Sequence, residues 1–354
     1  MAGEYTPQVY GWIARLSGWM PFAAGAKMTT ALLGVAVSAS TAQRVGEAVG
    51  AAYVALQNEQ TVELERCAPP APAGAARMVV SADGAMVPLV HGEWGEVRTL
   101  AIGAVVKRVK RRPAKRRRNM PALAAGTPQT TTSTTPPPKT PPPKTPPKKS
   151  AGLAGKQAPA AEEMHTVNIS YFSRFTTAET FTHLALVETH HRGLEKAGEV
   201  AAVMDGADWL QQLTDYHCPK AVRILDFAHA AQHVAAVAQA LWGQDSAETA
   251  TWTQQWTDSL QAKGPRPLLS ELRRLQKLYP DNEPLGANLA YFKKRRVQLQ
   301  YPRFRRQGWP IGSGMVESAN KLVVEARLKG AGMHWQRGNV DAMLALRNLR
   351  CNDR

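Results

Sequence analysis

Apolar and polar positions change period three times along this chain, and each change marks a boundary in its organisation. Residues 1–66 follow a helical period. Two helical segments, 27–33 and 39–56, flank the small-residue turn Gly34-Val35-Ala36-Val37-Ser38, and Ser38 or Ser40 is placed to cap the second. Helix, tight turn and helix is the outline of a helix-turn-helix, and equally of any αα-hairpin. After the breaker Ala68-Pro69-Pro70-Ala71-Pro72 the period shortens. Segments 76–90 (ARMVVSADGAMVPLV) and 96–106 (EVRTLAIGAVV), rich in Val, Leu and Ile, predict an antiparallel pair of strands. A third strand, 166–175, alternates Val167, Ile169 and Tyr171 with polar neighbours, which gives a meander whose second turn is inflated by the intervening segment.

Beyond this meander the two periods alternate. Residues 176–197 predict a helix capped at Thr176 or Thr177, with Glu179 at capping-box distance. A buried-type strand at 199–204 (EVAAVM), a short helix at 208–218, a second such strand at 221–227 (AVRILDF) and an apolar helix at 229–242 follow. Strand–helix–strand–helix implies parallel pairing through right-handed crossovers. Sequence from Ser246 onward reads as helical. Three antiparallel strands followed by two parallel βα units is the order of the ribonuclease-H-like fold. The expected class is therefore α/β, with a ribonuclease-H-like core, a helical insertion, and a small helical, helix-turn-helix-like region in front.

Charge sharpens this division. The 354 residues carry 44 Lys and Arg against 28 Asp and Glu, a net +16, which points to a polyanionic partner. Fourteen of the basic residues lie in 107–161 with no acid among them, nine within 107–118 (KRVKRRPAKRRR). The Pro-, Thr- and Lys-rich stretch after these has no means of building a core and predicts a tether, either merely solvated or touching nucleic acid without specificity. A second basic zone lies in foldable sequence: 266–306 holds eleven Lys and Arg, including Arg273, Arg274, Lys293, Lys294, Arg295, Arg296, Arg303, Arg305 and Arg306, against three acids. Tyr279, Tyr291, Phe292, Tyr301, Phe304 and Trp309 are interleaved with it. Cations among aromatics suit a surface that tracks phosphates and stacks bases; a basic helical face packed through its aromatics fits the pattern equally. No apolar run approaches the ~18 residues of a membrane span. The start of the chain does not read as a signal peptide. The widely spaced Cys67, Cys218 and Cys351 form neither a disulfide framework nor a zinc motif, so a reducing cytoplasm is expected.

Three carboxylates fall where predicted strands end or meet glycine: Asp83 before Gly84, Asp205 before Gly206, and Asp226 at the end of the fifth strand. Such positions converge on a crevice at the carboxyl ends of parallel strands, although Asp-Gly is also an ordinary turn signal. A fourth carboxylate, Glu317, lies in the first turn of a helix that begins near Ser313, after the turn Gly308-Trp309-Pro310-Ile311-Gly312. Gly312 and Gly314 would allow a ligand close to the backbone.

The blocks VVSADGAMV, VAAVMDGADWL, ILDFAH and GWPIGSGMVESANKLVVEARLKGAGMHW resemble those of DDE-type bacterial insertion-sequence transposases, specifically the ISKra-type group. The resemblance covers about residues 75–350 apart from the tether. It implies that Asp83, Asp205 and Glu317 hold two divalent cations, Mg²⁺ or Mn²⁺. Asp226-Phe227-Ala228-His229 matches a further Cys-or-Asp, two residues, His motif. Asp226 is the alternative second metal ligand, and His229 would orient a ligand or the scissile phosphate. Lys321, Arg327 and Lys329 join the 266–306 cations as expected DNA contacts. The implied partner is double-stranded DNA, at transposon ends and target, with a homodimer in the synaptic complex and the bacterial nucleoid as location. The corresponding division is 1–66, helical; 75–106, the first two core strands; 107–163, the basic insertion; 164–243, the rest of the core; 244–307, the basic helical insertion; and 308–354, the Glu helix and tail. The short region ahead of the helix pair and the low-complexity insertion depart from the family pattern. They fit a truncated, inactive DNA-binding relic, and a nuclease or resolvase that cuts without joining is a separate alternative.

Overall fold

A computed structural model of the chain describes residues 5–107 and 164–354. The expected tether therefore lies outside the described residues, except Lys107, which ends the second strand. Helix α1 (Pro7–Trp19) starts with Thr6 accepting from the Val9 amide and a proline at its first position. Helices α2 (Phe22–Leu33) and α3 (Ala39–Cys67) follow, and Ser38 is the cap of α3. The sequence-predicted helix pair and its turn are thus present. Helix α3, however, continues for 29 residues, well past the expected 39–56. Its buried stripe Ala42, Val45, Gly46 and Gly50 faces α1, α2 and the last helix of the chain instead of standing free.

Strands β1 (Arg77–Pro88), β2 (Trp94–Lys107), β3 (Met164–Arg174), β4 (Glu199–Met204) and β5 (Val222–Leu225) form one sheet in the order 3-2-1-4-5. The first three are antiparallel neighbours; β1–β4 and β4–β5 are parallel. A register shift between Ile102 and Ala104 marks a bulge in the β2–β3 pair. The antiparallel meander and the parallel pairing of the βα strands are as expected, and the structure adds that β4 joins the meander along β1.

Between β3 and β4 the predicted single helix is broken into α4 (Ala178–Leu184), α5 (Leu186–His191) and a 3₁₀ turn, Leu194–Lys196. Two local causes are visible. The Thr182 carbonyl, at the first break, pairs with His217 Nε2 at 2.8 Å, and Gly193 at φ 62° ends the second piece. Helix α6 (Asp208–His217) links β4 to β5, and α7 (Phe227–Trp242) follows β5. The helical insertion comprises α8 (Ala247–Lys263), α9 (Pro265–Leu278), α10 (Glu283–Lys294), a 3₁₀ turn and α11 (Tyr301–Arg306). The chain then enters α12 (Gly314–Ala319), a π-helix at Asn320–Glu325, α13 (Ala326–Leu328) and α14 (Arg337–Cys351).

Strand alternation distributes the core. Val79, Ala201, Val203 and Ile224 pack beneath the insertion helices, against Leu268, Leu272, Leu285 and Phe292. The opposite residues Met78, Val80, Ala202 and Met204 pack with Phe181, Leu210 and Leu213. The far half of the meander, Val87, Leu89 and Val97, meets Val323, Leu344 and Trp335. Aromatics expected either to stack bases or to pack take the second role in most cases: Phe292, Tyr301, Phe304 and Trp309 are core, Tyr291 is half-buried and Tyr279 is exposed.

Helix α14 approaches α3 so closely that a Cβ on Gly50 would lie 2.2 Å from the Ala342 carbonyl oxygen, backbone that cannot rotate aside. Gly50→Ala should therefore lower unfolding free energy by about 1–3 kcal/mol. Gly11→Ala in α1, where an added Cβ meets nothing within 4 Å, should raise it by about 0.5–1 kcal/mol through helix propensity. Denaturant titration of the two variants should give opposite signs.

Candidate functional site

The sheet register aligns the three aspartates. Val80 pairs with Ala202 in the parallel β1–β4 ladder, and Asp83 and Asp205 each come three residues later. Met204 pairs with Leu225, and Asp205 and Asp226 each come next. The carboxylates thus stand in one row across three neighbouring strands, on the face of the sheet that carries the insertion helices.

Each aspartate in the row has a different environment. Asp83 is half-buried in β1; its Oδ1 accepts from the Gly84 amide at 2.8 Å and its Oδ2 from Asn320 Nδ2 at 3.1 Å. Burial pushes its pKa up, and the charges of Asp205 and Glu317 push the same way, only partly opposed by the Gly84 hydrogen bond and His229. Asp205 accepts from the Ala207 amide at 2.7 Å. The turn that carries it is locked from the insertion: Tyr291 Oη donates to the Asp205 carbonyl at 2.8 Å and Arg295 Nε to the Gly206 carbonyl at 2.8 Å. Gly206 is required here, since φ is +86° and a Cβ would lie 2.5 Å from Arg295 Nε.

Asp226 is 1% exposed and fully engaged. Oδ1 accepts from the His229 amide at 2.8 Å and pairs with His229 Nδ1 at 3.1 Å, while Oδ2 accepts from the Ser313 amide. The Phe227 amide donates to the Ile311 carbonyl at 2.9 Å beside it. Burial opposes the Asp226 charge, but hydrogen bonds from His229 and Ser313 outweigh it and hold the pKa down to about 2. The hydrogen bond to Asp226 in turn raises the His229 pKa. Asp226 is therefore a buried joint between β5, α7 and the glycine-rich turn. Asp205 keeps an oxygen without a hydrogen-bond partner among the described residues and faces a cavity of about 550 Å³ lined by His229, His233, Tyr291, Lys294 and Arg295.

Glu317 is exposed in α12, which lies over β1 and β2 through Val316 and Ala319 against Ala101. Three residues on, hence on the same helical face, Asn320 opens the π-helix and reaches Asp83. Asn320 is buried, and its Oδ1 has no hydrogen-bond partner among the described residues. Such an atom next to an aspartate marks a place where a ligand can complete the polar network. Single π-turns occur frequently at functional sites. Sequence reading included Asn320 in a motif but gave it no role; the i, i+3 spacing from Glu317 was the available signal. Gly312 and Gly314 have ordinary φ angles, and an added Cβ would meet nothing closer than Asp226 Oδ2 at 3.9 Å, so the turn leaves open space. Among the described residues, no three His, Cys, Asp or Glu side chains converge at ligating distance. The donors of Asp83, Asp205, Glu317 and Asn320 are all oxygens, the set that Mg²⁺ and Mn²⁺ take, and a cation there would relieve the repulsion felt by Asp83.

The expected DNA contacts divide by exposure. Arg273, Lys293, Arg296, Arg303, Arg305, Arg306 and Lys321 are exposed. Arg274 and Lys294 are exposed but ion-paired, with Glu271 at 2.7 Å and Asp208 at 2.9 Å, and Lys329 pairs with Glu325 at 2.8 Å. Arg295 and Arg327 correct the expectation, because both are buried. Arg295 holds the Gly206 carbonyl, whereas Arg327 donates to the Ser17 carbonyl at 2.8 Å between the rings of Phe22 and Trp335. Burial brings the Arg327 pKa down to about 10, helped by the nearby Arg347 charge. Among the described residues no helix is long and apolar enough to cross a membrane.

The fold and row of carboxylates define a mixed-sheet α/β protein with an acidic site flanked by a basic helical layer. Comparison of the sequence with models of known protein families and with curated proteins gives no match.

Two outcomes follow for stability. The raised His229 pKa contributes stability that is full below the unfolded value and lost as pH rises through the folded one; the lowered Asp226 pKa contributes above its unfolded value and is lost as pH falls towards about 2. The stability gap between the native protein and His229→Gln should therefore be widest between about pH 4 and about pH 6.5 and narrow above it, measured by denaturant unfolding across pH. For Asp83 the raised pKa means that ionisation costs stability as pH rises through the folded value. Asp83→Asn should raise the melting temperature at pH 7 without divalent cations, since Asn320 can turn its amide to accept from the new group.

Proposed function

We propose that the protein is a DDE-type transposase of the ISKra-type group, which cleaves DNA at transposon ends and joins the freed 3′-hydroxyl to target DNA. The observation that carries this reading is the row of Asp83 and Asp205 across adjacent strands, with Glu317 brought over the same face by α12 and its charge felt at Asp83. The strand order 3-2-1-4-5, with three antiparallel strands and two parallel βα units, supports a ribonuclease-H-like core beneath it.

Asp83, Asp205 and Glu317 would hold two Mg²⁺ or Mn²⁺ ions, which supply positive charge to activate the attacking oxygen and stabilise the leaving one in an in-line displacement. In the first step water attacks a phosphodiester, breaking the bond to the 3′ oxygen. In the second the freed 3′-hydroxyl attacks a target phosphodiester and displaces a target 3′ oxygen. Asn320 steadies Asp83 by occupying one lobe of its carboxylate. His229, oriented through Nδ1 and favoured in its charged form by Asp226, has Nε2 without a protein partner among the described residues, which suits contact with a phosphate oxygen. Tyr291 and Arg295 keep the Asp205 turn rigid. On this reading the partner is double-stranded DNA, the α2–α3 pair is an additional DNA-docking element of helix-turn-helix outline, and synapsis of two ends uses a homodimer at the bacterial nucleoid.

Asp83→Asn, Asp205→Asn and Glu317→Gln should each abolish Mg²⁺-dependent cleavage of a duplex carrying transposon ends while DNA binding persists. Normal cleavage by Asp205→Asn together with loss in Asp226→Asn, in a variant that still folds, would transfer the ligand role to Asp226. Cleavage without strand transfer on the same substrate would make the protein a nuclease or resolvase.

A further inference from the structure

The basic stretch 266–306 carries eleven Lys and Arg, and the fold separates those committed to the protein from those left over. Arg295, Lys294 and Arg274 are committed, to Gly206, Asp208 and Glu271. Arg266, Arg273, Lys293 and Arg296 are not. These four exposed side chains line one cleft of about 710 Å³ between the start of α9 and the end of α10, together with the buried Pro265 and Leu269 and the exposed Val297. Among the described residues none of the four has an ion-pair or side-chain hydrogen-bond partner, and the cleft lining contains no acid and no aromatic.

A solvated cationic face spreads its charges apart. Here the chain does the reverse, gathering four like charges at one concavity, where their fields add and favour an anion. Three of the four are Arg, whose planar fork matches phosphate oxygens. Without an aromatic to stack on, the cleft suits a sugar–phosphate backbone and not bases. Its position fits the same ligand. Lys293 and Arg296 flank, along the chain, Lys294 and Arg295, which grip residues 206 and 208 beside Asp205, so the end of α10 borders both the cleft and the cavity that Asp205 faces.

We infer that this cleft holds the phosphodiester backbone of duplex DNA bound by the protein, through Arg266, Arg273, Lys293 and Arg296. The choice of DNA as polyanion rests on the function proposed above; the cleft and its unpaired cations do not.

Binding of the full chain to a short duplex, titrated across salt concentration, tests this. Each phosphate contact contributes about 0.9 to the slope of log affinity against log salt. Arg273→Gln combined with Lys293→Gln should weaken binding and reduce that slope by about 2. Lys196→Gln combined with Lys220→Gln, which removes the same charge from exposed positions away from the cleft, should leave the slope unchanged. The charge-conserving pair Arg273→Lys with Lys293→Arg should retain it, separating lost contacts from a disturbed fold. An unchanged slope in the first variant, or an equal fall in the control, overturns the inference. A cleft variant with the smaller slope in a protein that never cuts DNA supports the cleft and overturns the transposase reading, so the two fail separately.

Discussion

The carboxylate of Asp226 joins parts of the chain that no strand pairing connects. It caps α7, fixes the His229 ring, and through the Ser313 amide holds the turn leading into α12. A buried charge is tolerable only when its hydrogen-bonding capacity is filled, and here filling it ties β5 to the glycine-rich turn. Glu317 hangs from that turn, so its place over β1 depends on an aspartate that is itself a joint. Asp83, one strand beyond Asp205 in the same row, is the opposite case. It is half-buried, repelled by neighbouring charges, and left with a pKa above its ordinary value. One carboxylate is saturated so that others can remain unsatisfied.

The sheet was largely legible in the sequence because its signals are local. Alternation marked β1, β2 and β3, short apolar runs marked β4 and β5, and Asp followed by Gly marked Asp83 inside β1 and Asp205 just past the end of β4. What was illegible depends on distant partners. The helix at 176–197 breaks where His217, from α6, takes the Thr182 carbonyl, which no pattern within 176–197 encodes. Helix α3 runs past its expected end into distant partners, with Gln57 meeting Arg174 and Glu65 meeting His183 and Tyr216. The π-helix is invisible to periodicity, since one wider turn leaves the apolar spacing nearly intact. Exposure of the basic residues was equally hidden. Lys294 and Arg295 are neighbours in sequence, yet one points to solvent and the other into the fold.

Buried arginines bind the amino-terminal helices to the site. Arg327 reaches the Ser17 carbonyl, and Arg347 reaches the carbonyls of Gly18, Leu322 and Val323 while stacking over Trp19. Open carbonyls at the end of α1 and along the π-helix are thereby satisfied by two guanidinium groups. The cost of burying those charges appears as the lowered pKa of each. Through them α1 to α3 and the Asn320-bearing π-helix belong to one packed layer, so the first helices of the chain help set the position of Asn320 beside Asp83.

Lys107 and Met164 face each other in the β2–β3 register. The described residues are therefore two segments of one chain sharing one sheet: the first supplies α1 to α3, β1 and β2, the second everything else. Backbone pairing, the α3–α14 contact and the buried arginines all cross between them. The candidate site is thus built across that junction, with Asp83 on one segment and Asp205, Glu317 and Asn320 on the other, and the β1–β4 pairing is what sets its carboxylates side by side.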